Sequence, residues 1–201
     1  MFLGNSSYDK IFSTHIEKTI REVSMSKKDD VGYGKFTELK IEHLGKIFDM
    51  HLAITQAVLR KNPYYDPTYR YIDVTAGKGY IPEGTTLGSP LVFIESSNSR
   101  HLDMTCKVDL FECVEENHEE LTVNFRNYSQ KLGWDKRHQV QFHNDKYQTL
   151  LPKFLSTKKA KELGLLFVDH SGDLPDFDTI KYVSKMRPRM EILIYLPART
   201  I

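Results

Sequence analysis

Five short apolar runs, separated by polar stretches long enough for helices, constrain the fold of this chain more than any other feature. The runs are Tyr69–Thr75, Val108–Val114, Gln139–His143, Leu163–Val168 and Glu191–Leu196. Apolar runs of this length, rich in β-branched and aromatic residues, are typical of buried strands. Strands separated by helical segments pair in parallel, through crossover connections. The pattern therefore predicts a doubly wound α/β domain.

Helical periodicity marks the segments around these runs. It predicts an amphipathic helix at Thr37–Arg60, ahead of the first strand. Further helices are predicted at Asn117–Leu132, Tyr147–Lys161 and Phe177–Met186. The first 35 residues are polar and weakly periodic, which predicts an arm with one short helix at Asp9–Glu22. We expect one globular unit, in which the arm and amphipathic helix of residues 1–62 pack on a Rossmann-like domain of residues 63–201.

Composition favours a folded globular domain and does not identify a binding partner. A hydrophobic share of 40% and a formal net charge of +1 are those of a folded globular domain. Residues 121–201 nevertheless hold 14 Lys+Arg against 8 Asp+Glu, so they carry +6. Solvated helix faces or a basic rim would both explain this excess. No apolar segment approaches the roughly 20 residues that a membrane-spanning helix needs.

The N-terminal residues and the cysteines bear on the cellular compartment. Residues 1–7 lack the basic and apolar regions of a secretory signal, so a cytoplasmic location without membrane contact is expected. Cys106 and Cys113 are the two cysteines. Their odd separation would place them on opposite faces of one strand, which argues against a disulfide. We expect both thiols to be free.

Acidic residues follow the predicted strands at the edge where open parallel sheets bind ligands. Asp73 precedes a Gly-rich segment, residues 75–79, whose glycines either let a ligand approach bare backbone or simply form a strand-to-helix turn. Glu112 is placed to accept two hydrogen bonds from a ribose diol, unless it is only solvated. Asp145 is placed to bond an exocyclic amine, unless Asn144 or Asp145 caps the next helix.

The fourth strand leads into Asp169, His170 and Ser171. Neighbouring side chains on a strand point to opposite faces, so Asp169 does not orient His170, and a Ser-His-Asp hydrolase is not predicted. His170 is either a proton acceptor or a structural residue. Thr85 stands where a phosphate-binding loop requires lysine, which argues against nucleotide hydrolysis. The scattered histidines have no zinc-site spacing, so no metal is predicted.

Two segments carry a resemblance to a known family. Residues 71–79 (Tyr-Ile-Asp-Val-Thr-Ala-Gly-Lys-Gly) and residues 88–91 (Gly-Ser-Pro-Leu) resemble the "YIDLFAGPG … GSPL" signature of the three-Cys-motif partner proteins, which have a class I methyltransferase-like fold. Weaker matches are Phe111-Glu112, Asn144-Asp145 and residues 167–172. Ser89 and Pro90 are also typical of an N-cap and a first helical residue.

The resemblance implies an S-adenosylmethionine-dependent methyltransferase. The residues that would surround S-adenosylmethionine are Asp73, Ala76, Gly77, Gly79, Glu112 and Asp145. Asp73 and the glycines would meet the methionine end, Glu112 the ribose and Asp145 the adenine. Asp169 and His170 are the candidate catalytic residues, for acceptor positioning and proton removal.

The resemblance leaves two matters open. Lys78 replaces the proline of the family signature, and the sequence reaches Ile201 just past the fifth strand, where the family's sheet continues as an antiparallel hairpin. The expected fold is therefore a class I methyltransferase sheet, with truncation after the fifth strand left open. The acceptor is left open between nucleic acid and protein. The alternative function is a catalytically inactive module that binds nucleic acid or a partner protein, such as a three-Cys-motif protein.

Overall fold

The computed structural model describes residues 37–81, 86–100, 102–170 and 174–196. The predicted arm and its helix at Asp9–Glu22 lie outside these residues. The described chain forms, in order, α1 (Thr37–Lys61), β1 (Thr68–Asp73), α2 (Ser89–Ser99), β2 (Thr105–Phe111), α3 (Glu115–Leu132), β3 (Gln139–His143), α4 (Tyr147–Phe154), β4 (Leu163–Asp169), α5 (Phe177–Met186) and β5 (Met190–Tyr195).

The five strands form one parallel sheet in the order β3-β2-β1-β4-β5. The chain first winds outward from β1 to β2 and β3, and then crosses to the other side of β1 for β4 and β5. The direction of winding therefore changes between β1 and β4, which is where ligands bind in folds of this kind. The described residues have a Rossmann-like α/β fold, and the prediction of a doubly wound α/β domain is confirmed at that level.

Helices cover both faces of the sheet. On one face α1, α2 and α3 pack over an aromatic cluster, in which Phe93 stacks on Tyr71 at 4.2 Å between ring centroids and Phe48 meets Tyr71 edge-on at 5.2 Å. On the other face α4 and α5 bury Leu151 and Val183 against the sheet. Because both faces are covered, the central strands β1, β2 and β4 are largely apolar, with exceptions such as Arg70 and Asp109, which pair with each other.

The largest differences from the expected element boundaries are at β2 and α4. Strand β2 lies three residues earlier than predicted, at Thr105–Phe111, because the chain turns out of the sheet at Glu112. Helix α4 ends at Phe154 instead of Lys161. Pro152 lacks the N–H that would bond the preceding turn, and Arg187 Nη1 donates to the carbonyl of Thr157 at 2.7 Å, which holds the following segment in a loop.

A buried network of charges lies beneath α4 and α5. From the middle of β1, Arg70 Nη1 donates to Asp109 Oδ2 at 2.6 Å and Arg70 Nε to Glu162 Oε1 at 3.1 Å. Arg187 Nε donates to the second oxygen of Glu162, and His143 Nε2 lies 3.2 Å from Asp109 Oδ1. Burial by itself would raise the pKa of Glu162, but the two guanidinium groups outweigh it and hold that pKa below its ordinary value.

The two cysteines lie at different depths in the structure. Cys106 is buried in β2 and Cys113 is exposed just beyond it, and both thiols are free, as predicted. Burial raises the pKa of Cys106 to about 12, so this thiol stays protonated.

Among the described residues, no helix combines the length and the apolar character needed to cross a membrane.

Candidate functional site

The carboxyl ends of neighbouring strands are joined by backbone hydrogen bonds just beyond the sheet. The N–H of Ala76 donates to the carbonyl of Phe111 at 3.1 Å, and the N–H of Glu112 donates to that of His143 at 3.1 Å. These bonds bring the loop after β1 against the end of β2, and the end of β2 against the end of β3. The predicted residues that follow β1 and β2 therefore lie along one continuous edge.

Asp73 is the fully buried residue at the end of β1. Its carboxylate accepts hydrogen bonds from the Tyr71 hydroxyl at 2.9 Å, the Ser89 hydroxyl at 2.6 Å and the Thr75 N–H at 3.0 Å. These three donors belong to β1, to the loop after it and to the start of α2. Asp73 thus fixes the loop to the helix that follows, and its oxygens are already engaged.

Helix α2 starts differently from the sequence-based expectation. Ser89, predicted as the N-cap, is the first helical residue, and Gly88 is the N-cap. The N–H of Gly88 donates to the carbonyl of Gly79 at 2.7 Å, and a Cβ at position 88 would lie only 2.8 Å from that oxygen. This close approach requires glycine at the cap, so Ser89 is displaced into the helix and its hydroxyl bonds Asp73 instead.

The loop after β1 has an open side formed by bare backbone. Gly77 and Gly79 have φ angles of 58° and 84°, in the left-handed region that favours glycine. A Cβ on Gly77 would meet no atom within 4 Å, whereas one on Gly79 would lie 3.3 Å from Leu121 Cδ1. Lys78 is turned away, since its Nζ donates to Glu120 Oε1 at 3.0 Å. At Gly77 the backbone of the loop therefore faces open space.

The end of β4 is held by an ion pair with α1. Lys40 Nζ donates to Asp169 Oδ2 at 2.6 Å and lies 4.9 Å from the centre of the Tyr195 ring. The N–H of Asp169 donates to the Thr75 hydroxyl oxygen at 2.9 Å. Asp169 is thus neutralised by α1 and joined to the loop after β1. Lys40, which sequence reasoning missed, is the cation that pairs with this carboxylate.

His170 is joined to α4. The Tyr147 hydroxyl lies 3.0 Å from His170 Nε2, and the same hydroxyl oxygen accepts a hydrogen bond from the Asp176 N–H at 3.1 Å. The hydroxyl can donate to Nε2 or accept from it, according to the tautomer of the imidazole. Burial raises the pKa of Tyr147, which keeps the phenol protonated. This nitrogen of His170 is therefore engaged in the structure.

Glu112 and Asp145 lie at the outer part of the edge. Glu112 is half-buried and accepts a hydrogen bond from the Val114 N–H at 2.8 Å. Asp145 is exposed and accepts one from the Lys146 N–H at 2.7 Å. Each carboxylate uses one oxygen for this bond. The N-cap of α4 is Lys146, so neither Asn144 nor Asp145 caps that helix.

The structure brings Asp73 and Asp169 together and places Glu112 further along the edge. Burial raises the pKa of Asp73, and the charge of Asp169 adds a smaller effect in the same direction. Lys40 and Tyr147, which engage the two predicted catalytic residues, were not identified from sequence. Each is one polar residue among many on its helix, and the sequence gives no signal for its distant partner.

The ionisation of Asp73 predicts a pH-dependent stability. Burial raises the pKa of this carboxyl to about 6, against the lowering effect of its hydrogen-bond donors. A raised pKa favours the protonated folded state, so this contribution is present below the unfolded pKa and is lost as pH rises through about 6. Between pH 4.5 and 7.5 the loss is about 2 kcal/mol.

We expect urea unfolding of the wild type and of Asp73→Asn to give a free-energy difference that declines by this amount between the two pH values. The Asn side chain does not titrate, so all other groups cancel in the comparison. A difference that is constant with pH would show that Asp73 ionises at its ordinary pKa, and one that grows with pH would show a lowered pKa. Either result would contradict this prediction.

Comparison with known proteins adds no relative: no protein-family model, no curated protein and no solved structure matches this chain.

Proposed function

We propose that this protein binds S-adenosylmethionine at the carboxyl edge of β1 and β2 and transfers its methyl group to an acceptor. The open side of the loop at Gly77 is the observation that carries the proposal. There the backbone is in a left-handed conformation and a Cβ would meet open space, so a ligand can lie against the chain. The arrangement of α1 to α3 on one face and α4 and α5 on the other also suits the expected class of fold.

Different residues at this edge suit different parts of S-adenosylmethionine. Glu112, half-buried with one oxygen bonded to the backbone, is suited to the ribose hydroxyls, and Asp145 to the adenine amine. Gly77 and Gly79 provide backbone for the methionine end. Asp73 would act by holding the loop that the glycines belong to, because its carboxylate already has three donors. Its role is therefore positioning.

When bound, the donor supplies a methyl group on a sulfonium ion, and the chain must orient an acceptor and receive its proton. Asp169 and His170 are nearest to this task by their position after β4. Asp169 is paired with Lys40, and His170 Nε2 is bonded to Tyr147. An acceptor that displaced the Lys40 ammonium would free the Asp169 carboxylate to position it or to take up the proton.

A second candidate is a module that has the fold but performs no transfer, and binds nucleic acid or a partner protein. The engagement of Asp169 and His170 within the protein favours it, since both groups have structural partners in α1 and α4. The two candidates differ in what they require: the first needs the donor, whereas the second does not.

Calorimetric titration with S-adenosylmethionine tests the proposal. We expect wild-type binding and a roughly 10- to 100-fold loss of affinity in Glu112→Ala, because a charged group that bonds the ribose contributes about 1.5–3 kcal/mol. Glu116→Ala is the matched control, because this exposed carboxylate lies in the first turn of α3 nearby and has no assigned contact with the donor.

The outcomes separate the candidates. No heat from the wild type at millimolar donor contradicts the proposal. Equal losses in Glu112→Ala and Glu116→Ala would show that general charge, and not the ribose contact, supports binding. If the wild type binds donor but transfers no labelled methyl group to DNA, RNA or protein, the non-catalytic module is favoured.

A further inference from the structure

A basic surface lies at the opposite, amino edge of the sheet, where α4 and α5 end. We define it by the exposed residues Lys158, Lys159, Lys161, Lys181, Lys185 and Arg189. Among the described residues from 155 to 191, two exposed carboxylates, Asp178 and Glu191, stand against these six cations, and Asp66 is exposed beside Tyr65. Asp178 is in the first turn of α5, at the far end of that helix. The amino-edge end of this layer therefore carries a net positive charge.

Structural contacts hold the members of this surface together. The N–H of Lys159 donates to the carbonyl of Met186 at 3.0 Å, which fixes the lysine-bearing loop beside the end of α5. Near the same end the Tyr182 hydroxyl donates to the carbonyl of Pro152 at 3.0 Å, which joins α5 to α4. The cations thus project from ordered backbone.

The buried network beneath the surface does not neutralise it. Glu162, the acidic residue at the base of the loop, is 6% exposed at its side chain and is occupied by Arg70 and Arg187. Lys159 Nζ lies 3.8 Å from it, while Lys158 and Lys161 are exposed beside it. Two buried guanidinium groups already balance Asp109 and Glu162, so the exposed lysines are an excess of positive charge.

Aromatic rings adjoin the basic surface. The Arg189 guanidinium lies 5.2 Å from the centre of the Tyr65 ring, and the neighbouring Tyr64 is 82% exposed. Both tyrosines precede β1, at the same amino edge. An exposed aromatic ring beside a track of cations is the combination that binds single-stranded nucleic acids, where phosphates meet the cations and bases stack on the rings. Lysines alone would suit an anionic membrane equally well, but the aromatic rings of Tyr64 and Tyr65 beside the cations favour base stacking.

We propose that this amino-edge surface binds single-stranded nucleic acid, with Lys158 and Lys161 contacting phosphates and Tyr64 stacking on a base. The surface does not depend on methyl-donor binding, because it lies at the other edge of the sheet from Gly77. A methyltransferase and a non-catalytic module would both be able to use it.

Fluorescence anisotropy with labelled oligonucleotides tests the inference, on the full chain without methyl donor. The labelled probes are dT and rU strands of about 20 nucleotides and the corresponding duplexes. Vesicles of phosphatidylserine and phosphatidylcholine are added as unlabelled competitors. We expect K158Q/K161Q to reduce the slope of log K against log salt by roughly 1.4, because each lost phosphate contact contributes about 0.7. Y64A should weaken binding about tenfold without changing that slope.

The control double variant is K131Q/K136Q, which removes one exposed lysine from the last turn of α3 and one from the loop that leads to β3. It should bind like the wild type. Lys159 is not substituted, because it lies near Glu162 of the buried network and its removal would disturb the fold as well as the surface. A loss of binding in K158Q/K161Q is therefore not explained by a loss of folding. Absence of single-strand binding, equal losses in the two double variants, or a preference for duplex or vesicles would each overturn the proposal. Failure of donor binding in calorimetry would leave it standing.

Discussion

Replacing Arg70 with Met is expected to lower the free energy of unfolding by about 3–5 kcal/mol. Arg70 has a side chain only 12% exposed and joins Asp109, on the neighbouring strand, to Glu162, just before β4. Without Arg70, the buried carboxylates of Asp109 and Glu162 each lose one positively charged partner. Asp109 then keeps His143 and Glu162 keeps Arg187. Desolvated charges are stabilised only while such partners are present.

The matched control is Arg60→Met. Arg60 also pairs with a carboxylate, Asp103, but their side chains are 61% and 63% exposed. Water screens such a pair, so a loss of less than about 1 kcal/mol is expected. Guanidinium unfolding followed by circular dichroism measures both variants. Equal, small losses for Arg70→Met and Arg60→Met would contradict the structural importance of the buried network.

Replacing Phe48 with Ala is expected to cost about 3–5 kcal/mol of unfolding free energy. Phe48 is fully buried and lies edge-on to Tyr71 and to Phe93, at 5.2 and 5.4 Å between ring centroids. The substitution leaves a cavity between α1 and the sheet. Because α1 also carries Lys40, the loosened helix should weaken the ion pair with Asp169, which joins α1 to the carboxyl edge.

Met50→Ala, two residues away in the same helix, is the matched control for this variant. Met50 is 58% exposed, so its truncation should change stability by no more than about 0.5 kcal/mol. Thermal and denaturant unfolding measure both. If Phe48→Ala costs as little as Met50→Ala, α1 does not contribute to the core as described.

Much of the secondary structure could be predicted because both faces of the sheet are covered. The central strands β1, β2 and β4, which are covered on both sides, are mostly apolar runs. The edge strand β3 alternates the exposed Gln139 and Gln141 with partly buried residues, and it occupies the predicted Gln139–His143. Helix α5 likewise occupies the predicted Phe177–Met186. The errors lie at ends: the end of α4 depends on Pro152 and on a contact from Arg187, which is distant in sequence.

The sequence indicated which acidic residues follow the strands but not their partners. The rule that ligands bind beyond the carboxyl ends of strands drew attention to Asp73, and ligand binding there stays a prediction. The structure joins Asp73 to Ser89 and Asp169 to Lys40. Ser89 was interpreted as a helix cap because a serine before a proline at a helix start has that role locally. Its bond to a carboxylate 16 residues earlier requires the tertiary fold.

The sequence by itself determined the alternation of strands and helices, the parallel pairing and the edge at which acidic residues collect. Those features follow from local hydrophobic periodicity and from the connection lengths it implies. Only the tertiary structure decided which charges neutralise one another. Arg70 meets Asp109 and Glu162, 39 and 92 residues away, and Lys40 meets Asp169, 129 residues away. Ion pairs over such separations form when the sheet order brings distant strands together, and no local pattern encodes that order.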